Sequence, residues 1–546
     1  MGIDVREAGP APLIAALGRE LGIVQAVNEI VDWDEKQCFI DPGTHTLTMI
    51  IDILLGRSPL YLVEKNYAEM DVELIFGKGF KSSDFNDDAL ARTLDKIHAA
   101  GAKKVFCHAS LQALLKEGLS SNILHADTTA KLVYGDYPVE KGLNITFGYN
   151  KERRRDLKQF KIGLVTNSDG YPISGDILDG NLDDKSWNRL LLDALPEHFT
   201  LEKLKTLTYV ADSAFVTAKN LELTEKLSLK FISRLPATYD LVEKLTLQAF
   251  ADNDWLKLGQ LAEGRNKASY QLKEYGEVLN HQRYRFLVVH SSQLDQRKLK
   301  KLDNQVKREQ AALEKAILKL SEKQFACRPD AEAALLSFKK EHQGGLFIIT
   351  GSADLLEVPE KRLKPGRPSK NEQRVYHSCY QVRATIKLDQ DYYERTKEKL
   401  SCFVLISNHP DLSAKAILDE YRNQSVVENR FKFIKDPIFI GPLHIKRKER
   451  LEALCYVALI ALALYMILQI RVRNALKDES EPIVLAGKKK SFEPTANKVL
   501  ELFASIKIMW LIDGKSVQRQ LPKRYRQLQR VLNMAGFDFD IFTSPP

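Results

Sequence analysis

Two acidic residues stand where a folding chain does not readily put them. Asp127 closes the apolar run ILHAD and Asp212 closes the apolar run LTYVAD. Each run reads as a strand, so each acid falls inside or at the end of one. Burying an ionised carboxylate on an apolar strand is costly unless it is paired or holds a metal. Two such acids on separate strands therefore point to a shared cation site, and to a fold that sets the two strands side by side. Either acid alone reads equally well as a helix cap after a strand.

The segments around them define the fold class. From about residue 121, SNILHADTTAKLVYG, LNITFGYN and FKIGLVTNSDGYPISGDIL read as consecutive strands, with a hairpin turn at Asn167, Asp169 and Gly170. A helix at KSWNRLLLDALPEHF, a strand at TLTYVADSAF, a helix at KNLELTEKL and a strand at LKFISRLP follow. Antiparallel strands followed by alternating helices and strands predict an α/β core of RNase H-like type over residues 120–240. Residues 241–399 break that rhythm and read as a mixed β/helical insertion. It holds the strand YRFLVVHSS, a charged amphipathic stretch over 293–325 (an exposed helix or helical hairpin), the basic loop KRLKPGRPSKNEQ and a strand pair in VYHSCYQVRATI. The core is expected to resume over 400–475 with the strand LSCFVLISN, and a basic C-terminal region over 476–546 ends the chain.

Residues 1–110 read as a helical N-terminal domain, because apolar residues recur at helical spacing in PLIAALGRELGIVQAVNEIV and THTLTMIIDILLG. A third helix in DFNDDALARTLDKIHAAG is capped by Asp84 or Asn86. The first hundred residues carry roughly twice as many acids as bases. The formal net charge of +9 therefore resides in a strongly basic remainder, which suits a polyanionic partner. The role of the acidic N-terminal domain stays open between DNA-end recognition and dimerisation or core packing. The six cysteines form no C-x-x-C pair and no cluster with zinc spacing, and read as reduced thiols of a cytoplasmic protein. The N-terminus has no basic stretch leading into a long apolar run, so no signal peptide is expected. ALCYVALIALALYMILQI, between Glu452 and Arg471, reaches the lower edge of membrane-spanning length but is read as a buried helix. No phosphate-cradling G-x-x-x-x-G-K-[ST] loop and no G-x-S-x-G elbow is present, which argues against nucleotide and serine-hydrolase chemistry.

The third carboxylate lies on the helix LSAKAILDEYRNQSVVENRFKFIK. Tyr421, Gln424 and Glu428 share one helical face, and Lys435 follows two turns beyond Glu428. Such a face also fits a solvated charged helix, but Val426, Val427 and Phe431 around Glu428 suggest partial burial. Together HADTT, VADSAF and this helix resemble the bacterial insertion-sequence transposases of the DDE class. They are similar to the large group marked by Y-x2-R-x3-E-x6-K around its glutamate. Tyr421, Glu428 and Lys435 match at the right spacing, and Gln424 stands where that group carries arginine. GNLDD, FISRLP and PLHIKRKERLEAL also resemble the group's conserved segments, so the likeness covers most of residues 120–470.

The resemblance implies a DNA transposase that cuts and joins DNA, with Asp127, Asp212 and Glu428 as catalytic residues and metal ligands. It implies two Mg²⁺ ions, with Mn²⁺ as a substitute. Double-stranded DNA, as terminal inverted repeats and target, is the expected partner, with a homodimer when assembled on DNA. A bacterial cytoplasmic, nucleoid-associated protein without membrane attachment is expected. Tyr421, Gln424 and Lys435 are the expected DNA contacts beside the cut, and the dense cluster Arg153, Arg154 and Arg155 is expected on the DNA backbone. Arg367, in KPGRPSK, resembles a minor-groove hook, with a plain linker as the alternative. Trp255 is a candidate for stacking on a flipped base, with a packing role as the alternative. Another RNase H-like nuclease, or a non-catalytic DNA-binding protein derived from a transposase, are the competing readings.

Overall fold

The computed structural model describes residues 2–36, 38–56, 58–138, 142–150, 152–261, 268–359, 375–435, 445, 447–513 and 516–546. The side chains of a few residues inside these spans, Glu428 and Lys435 among them, lie outside the description. The chain divides into two units, residues Met1–Ser233 with Ser407–Pro546, and Arg234–Ile406.

The first unit opens on a strand, β1 (Gly2–Glu7), and only then becomes helical. Helix Ala11–Glu20 buries Leu13, Ile14 and Leu17, as their spacing requires. Helix Pro42–Leu54 starts at Asp41, whose carboxylate accepts from Thr44 N at 2.8 Å. Of the two candidate caps of helix Asp87–Ala99, Asn86 takes the role, accepting from Ala89 N at 3.0 Å, while Asp84 falls in the preceding 3₁₀ turn.

The strands that follow are β2 (Ile123–Val133), β3 (Lys158–Thr166), β4 (Pro172–Leu178), β5 (Thr208–Ala211) and β6 (Lys230–Arg234), neighbours in the order β4-β3-β2-β5-β6. β2 to β4 are antiparallel neighbours, whereas β5 and β6 add in parallel on the other side of β2. This is the RNase H-like arrangement. The β3–β4 turn closes as expected, with Asn167 Oδ1 accepting from Asp169 N (3.1 Å) and Tyr171 N (2.9 Å) and Gly170 at φ +78°. Parallel strands need long crossovers, supplied here by helices Asp184–His198 and Ala218–Lys226. Every residue of β5 is buried, in line with its unbroken apolar run. Trp187 lies flat on β3 at Gly163, where an added Cβ would come within 2.4 Å of its ring.

LNITFGYN differs from its expected strand. Thr146 bridges to Gln159, while Asn144 N donates to the Asp179 carboxylate and the Asn150 side chain donates to Gln159 Oε1 in place of a ladder.

The apolar run forms the middle of helix Lys448–Lys477, and 94% of its apolar window is buried. It packs against helices Pro42–Leu54, Asp87–Ala99 and Ala102–Lys116 and against β4, where Tyr456 Oη accepts from Ile177 N at 3.2 Å. The helix is long and apolar enough to cross a membrane, and here it is the centre of a core. The last residues return to the first: Lys507–Asp513 pairs antiparallel with β1, from Gly2 opposite Ile512 to Glu7 opposite Lys507.

In the second unit, β7 (Leu256–Gln260), β8 (Ser269–Leu279) and β9 (Gln282–Ser291) form an antiparallel meander, with Cys402–Ser407 on the far side of β9. The residues of that last strand as far as Ile406 belong to this unit. The charged stretch is a single helix, Ser292–Ser321, whose Leu302 is buried with Leu346 and Phe347. Tyr376–Leu388 is one long strand rather than a pair, because VYHSCYQVRATI holds no turn residue; its partner is Phe347–Pro359.

Candidate active site

The β2–β5 ladder decides where the first two acids meet. Ala126 lies opposite Ala211 in parallel register. Asp127 and Asp212 are thus the next positions on neighbouring strands, whose backbones run about 4.8 Å apart. Both are half-buried. Asp212 Oδ1 accepts from Ala214 N at 3.0 Å, capping the short turn Ser213–Phe215, and its carbonyl accepts from Ser233 Oγ at 2.8 Å. The capping reading therefore holds for Asp212, but capping does not explain why the next strand sets a second acid beside it.

Tyr209 reports the two charges together. Its phenol is fully buried and donates to Asn188 Oδ1 at 2.5 Å. Burial pushes its pKa well above the ordinary tyrosine value, and the negative charges of Asp212 and then Asp127 push it further. Other nearby acids are occupied elsewhere. Asp176 holds Lys103 at 2.5 Å and Trp187 Nε1 at 2.9 Å, and Asp184 holds Lys161 at 3.1 Å and Thr128 Oγ1 at 2.5 Å.

Helix Ala414–Lys435, opened by Ser413 (whose Oγ accepts from Ala416 N at 3.2 Å), packs over β2, β3 and β5. Gln424 anchors it: the buried amide donates from Nε2 to the carbonyl of Ala126 at 2.8 Å, one residue from Asp127. Glu428 follows one helical turn later, about 6 Å along the axis. Its side chain lies outside the described residues, as does that of Lys435, which ends the helix. Gln424, expected to meet DNA, thus has its amide turned to the strand backbone. Tyr421 is half-buried on the same helix.

Sequence reasoning passed over His125 and Glu420. His125 is fully buried two residues before Asp127, on the same face of β2, with Nε2 3.5 Å from the Glu420 carboxylate. The i−2 spacing from an acid on a strand was the available signal. Glu420 gave none, because it reads as one more charge on a charged helix.

The remaining expected DNA contacts fall elsewhere. Arg153, Arg154 and Arg155 are exposed, and Arg154 makes a two-pronged pair with Asp156 at 2.8 and 2.7 Å. Trp255, in the second unit, packs edge-on against Phe250 with ring centroids 5.3 Å apart. Arg367 lies outside the described residues. Among the described residues no group of three His, Cys, Asp or Glu side chains is assembled as a ready metal site. The donors present are nonetheless hard carboxylate oxygens on adjacent strands, which fit a divalent cation such as Mg²⁺.

An acid on the central strand, a second at the end of its parallel neighbour and a helix laid across both define the RNase H-like class of phosphoryl-transfer folds. A transposase DDE domain matches residues 136–464, more than half of the chain, and the chain belongs to that family. It is a DDE transposase. The match starts beyond Asp127 and takes in Asp212 and Glu428. Residues 3–111 match a domain of unknown function, DUF4277. Among solved structures the chain is similar to the piggyBac transposase of a synaptic complex with hairpin DNA. The identity is 10%, 92% of this chain and 82% of that one are covered, and the TM-score is 0.36. No curated protein matches it in sequence.

Proposed function

We propose that this transposase moves an insertion sequence by cutting and rejoining DNA at a site built from Asp127, Asp212 and Glu428. The observation that carries the reading is the parallel register of Ala126 with Ala211, beneath the helix that contains Glu428. Asp127, Asp212 and Glu428 are the residues that would hold two Mg²⁺ ions, with Mn²⁺ as substitute. Such ions, when bound, stabilise charge on the attacking and leaving oxygens of a phosphodiester. The chain's own part is to hold three carboxylates on elements tied to one another by hydrogen bonds. Gln424 ties the helix to β2, and Asp212 is fixed by Ala214 and Ser233. Hydrolysis first frees a 3′-OH, and that hydroxyl then attacks target DNA in line, so no covalent protein–DNA bond is needed. Tyr421 and Lys435 contact phosphate near the cut, and Arg153 and Arg155 track the backbone. Two transposon ends must be held at once, which calls for a homodimer on DNA. A bacterial cytoplasmic location on the nucleoid follows from that substrate.

The test is strand cleavage and joining on the flanking terminal DNA with Mg²⁺, for wild type and for Asp127→Ala, Asp212→Ala and Glu428→Ala. Loss of both steps in all three variants, with end binding retained, is the expected result. Activity that survives one substitution removes that residue from the set. End binding without cleavage by the wild type in either metal would replace the enzyme reading with a non-catalytic, transposase-derived DNA-binding protein.

A further inference from the structure

The segment between β2 and β3 spends many hydrogen bonds on holding aromatic rings in water. Gln159, fully buried on β3, donates from Nε2 to the carbonyls of Gly180 (2.7 Å) and Tyr149 (3.2 Å). Its Oε1 accepts from Asn150 Nδ2 at 3.2 Å, and Asn150, itself buried, accepts from Arg154 N at 2.9 Å. Thr146 exchanges backbone hydrogen bonds with Gln159 at 2.9 and 3.1 Å. The approach is so close at Gly148 that an added Cβ would lie 2.3 Å from Gln159 Nε2. The backbone at Arg153 is left-handed, φ +59°, an uncommon state for a residue with a side chain.

What this rigid scaffold presents is unusual. Tyr149 is 85% exposed and Phe147 55% exposed, although rings of this size normally bury most of their surface. They line an open concavity of about 750 Å³ together with Arg153 and Arg155. Tyr134, also exposed, sits against the Arg154 guanidinium. Exposed ring faces next to guanidinium groups match one ligand chemistry well: bases whose faces are open for stacking, joined by phosphates. A duplex keeps its base faces covered, so the match is to unpaired nucleotides. The β2–β3 register sets the distance from the cut. Asp127 pairs with Leu164 and Leu132 with Gln159. Five residues of strand are about 17 Å.

We propose that residues 144–150 and 152–155 form a stacking platform for unpaired nucleotides of the DNA strand, about 17 Å along the sheet from the cleavage site. Bases stack on Tyr149 and Phe147, and Arg153 and Arg155 neutralise the phosphates between them. The inference rests on the DNA-transposase reading and adds to it a site for single-stranded DNA outside the three carboxylates.

The test compares binding of a thymidine oligonucleotide of about 15 nucleotides with binding of a blunt random-sequence duplex, by fluorescence anisotropy on the full chain. Wild type, Tyr149→Ala, Phe147→Ala, the double variant and Tyr149→Trp are measured. Each alanine variant is expected to bind the oligonucleotide roughly ten- to hundred-fold more weakly and the duplex unchanged. Tyr149→Trp, which keeps a ring, is expected to bind both normally. The altered side chains are exposed, so thermal unfolding should coincide with wild type. Unchanged oligonucleotide binding in the double variant, with duplex binding and end cleavage intact, overturns the platform and leaves the transposase reading standing. Failure of the wild type to bind either DNA overturns both. A double variant that binds both DNAs normally but shifts from dimer to monomer makes the surface a protein interface and overturns the platform.

Discussion

At the scale of single residues, Gln424 separates two ideas that the motif alone cannot. The motif places it where the related group has an arginine, and so beside DNA. The structure engages its amide with the carbonyl of Ala126 and leaves its buried Oε1 without a hydrogen bond among the described residues. Removing the donor strands a buried carbonyl, which costs about 1–3 kcal/mol. Gln424→Ala is therefore expected to lower the unfolding temperature and slow DNA cleavage while end binding holds. A variant that unfolds normally but binds DNA ends weakly would return Gln424 to the DNA. His125, two residues before Asp127, is set against Glu420, where it backs the helix.

Elements make a different kind of claim. Helix Lys448–Lys477 was the segment most easily mistaken for a membrane span, and its burial makes it the member around which the first unit packs. Leu459 is 1% exposed there and touches the space above Gly175 of β4. Leu459→Ala should cost about 2–5 kcal/mol of stability, read as a lowered denaturation midpoint; a change below about 0.5 kcal/mol would mean that the helix is not in the core. Near its start Arg450 grips Asp95 of helix Asp87–Ala99 at 2.8 and 2.6 Å. The guanidinium holds the Asp95 carboxyl below its ordinary value. Its stabilisation is therefore complete above the unfolded pKa of about 4 and fades as pH falls through the depressed folded value. The difference in unfolding temperature between wild type and Asp95→Asn should be constant from pH 5 to 8 (about one to four units above that pKa) and shrink under more acid conditions. A difference that grows on acidification would refute the pairing.

Over the whole chain, the two ends of the sequence close one structure. β1 pairs with Lys507–Asp513, and behind that sheet Asp71, 1% exposed, takes Arg519 at 2.6 Å and Trp510 Nε1 at 2.6 Å. A carboxylate that buried depends on its cation. Arg519→Met leaves it uncompensated, at a cost of about 3–5 kcal/mol, which calorimetry or denaturant unfolding would register. No loss would show that the terminal sheet is dispensable to the first unit. The acidic character of the N-terminal region gains a physical sense here, since Asp71, Asp95 and Glu20 face Arg519, Arg450 and Arg471 from the C-terminal half.

The sequence by itself determined most of the elements of the core. Apolar runs ending in Asp127 and Asp212 specify buried strands, Asn167 and Gly170 specify a turn, and the spacing from Tyr421 to Lys435 carries the family resemblance, because these signals are local and depend on period and side-chain type. Only the tertiary structure decided what meets what. Register between β2 and β5 is a pairing across more than eighty residues of intervening chain (Ala126 with Ala211), and no local pattern encodes it. The same holds for the turn of Gln424 toward Ala126, for β1 closing with Lys507–Asp513, and for Gln159 holding Tyr149 in solvent. Each depends on a partner far away in sequence, and burial, which separates a ligand from a brace or an exposed ring from a packed one, exists only once that partner is in place.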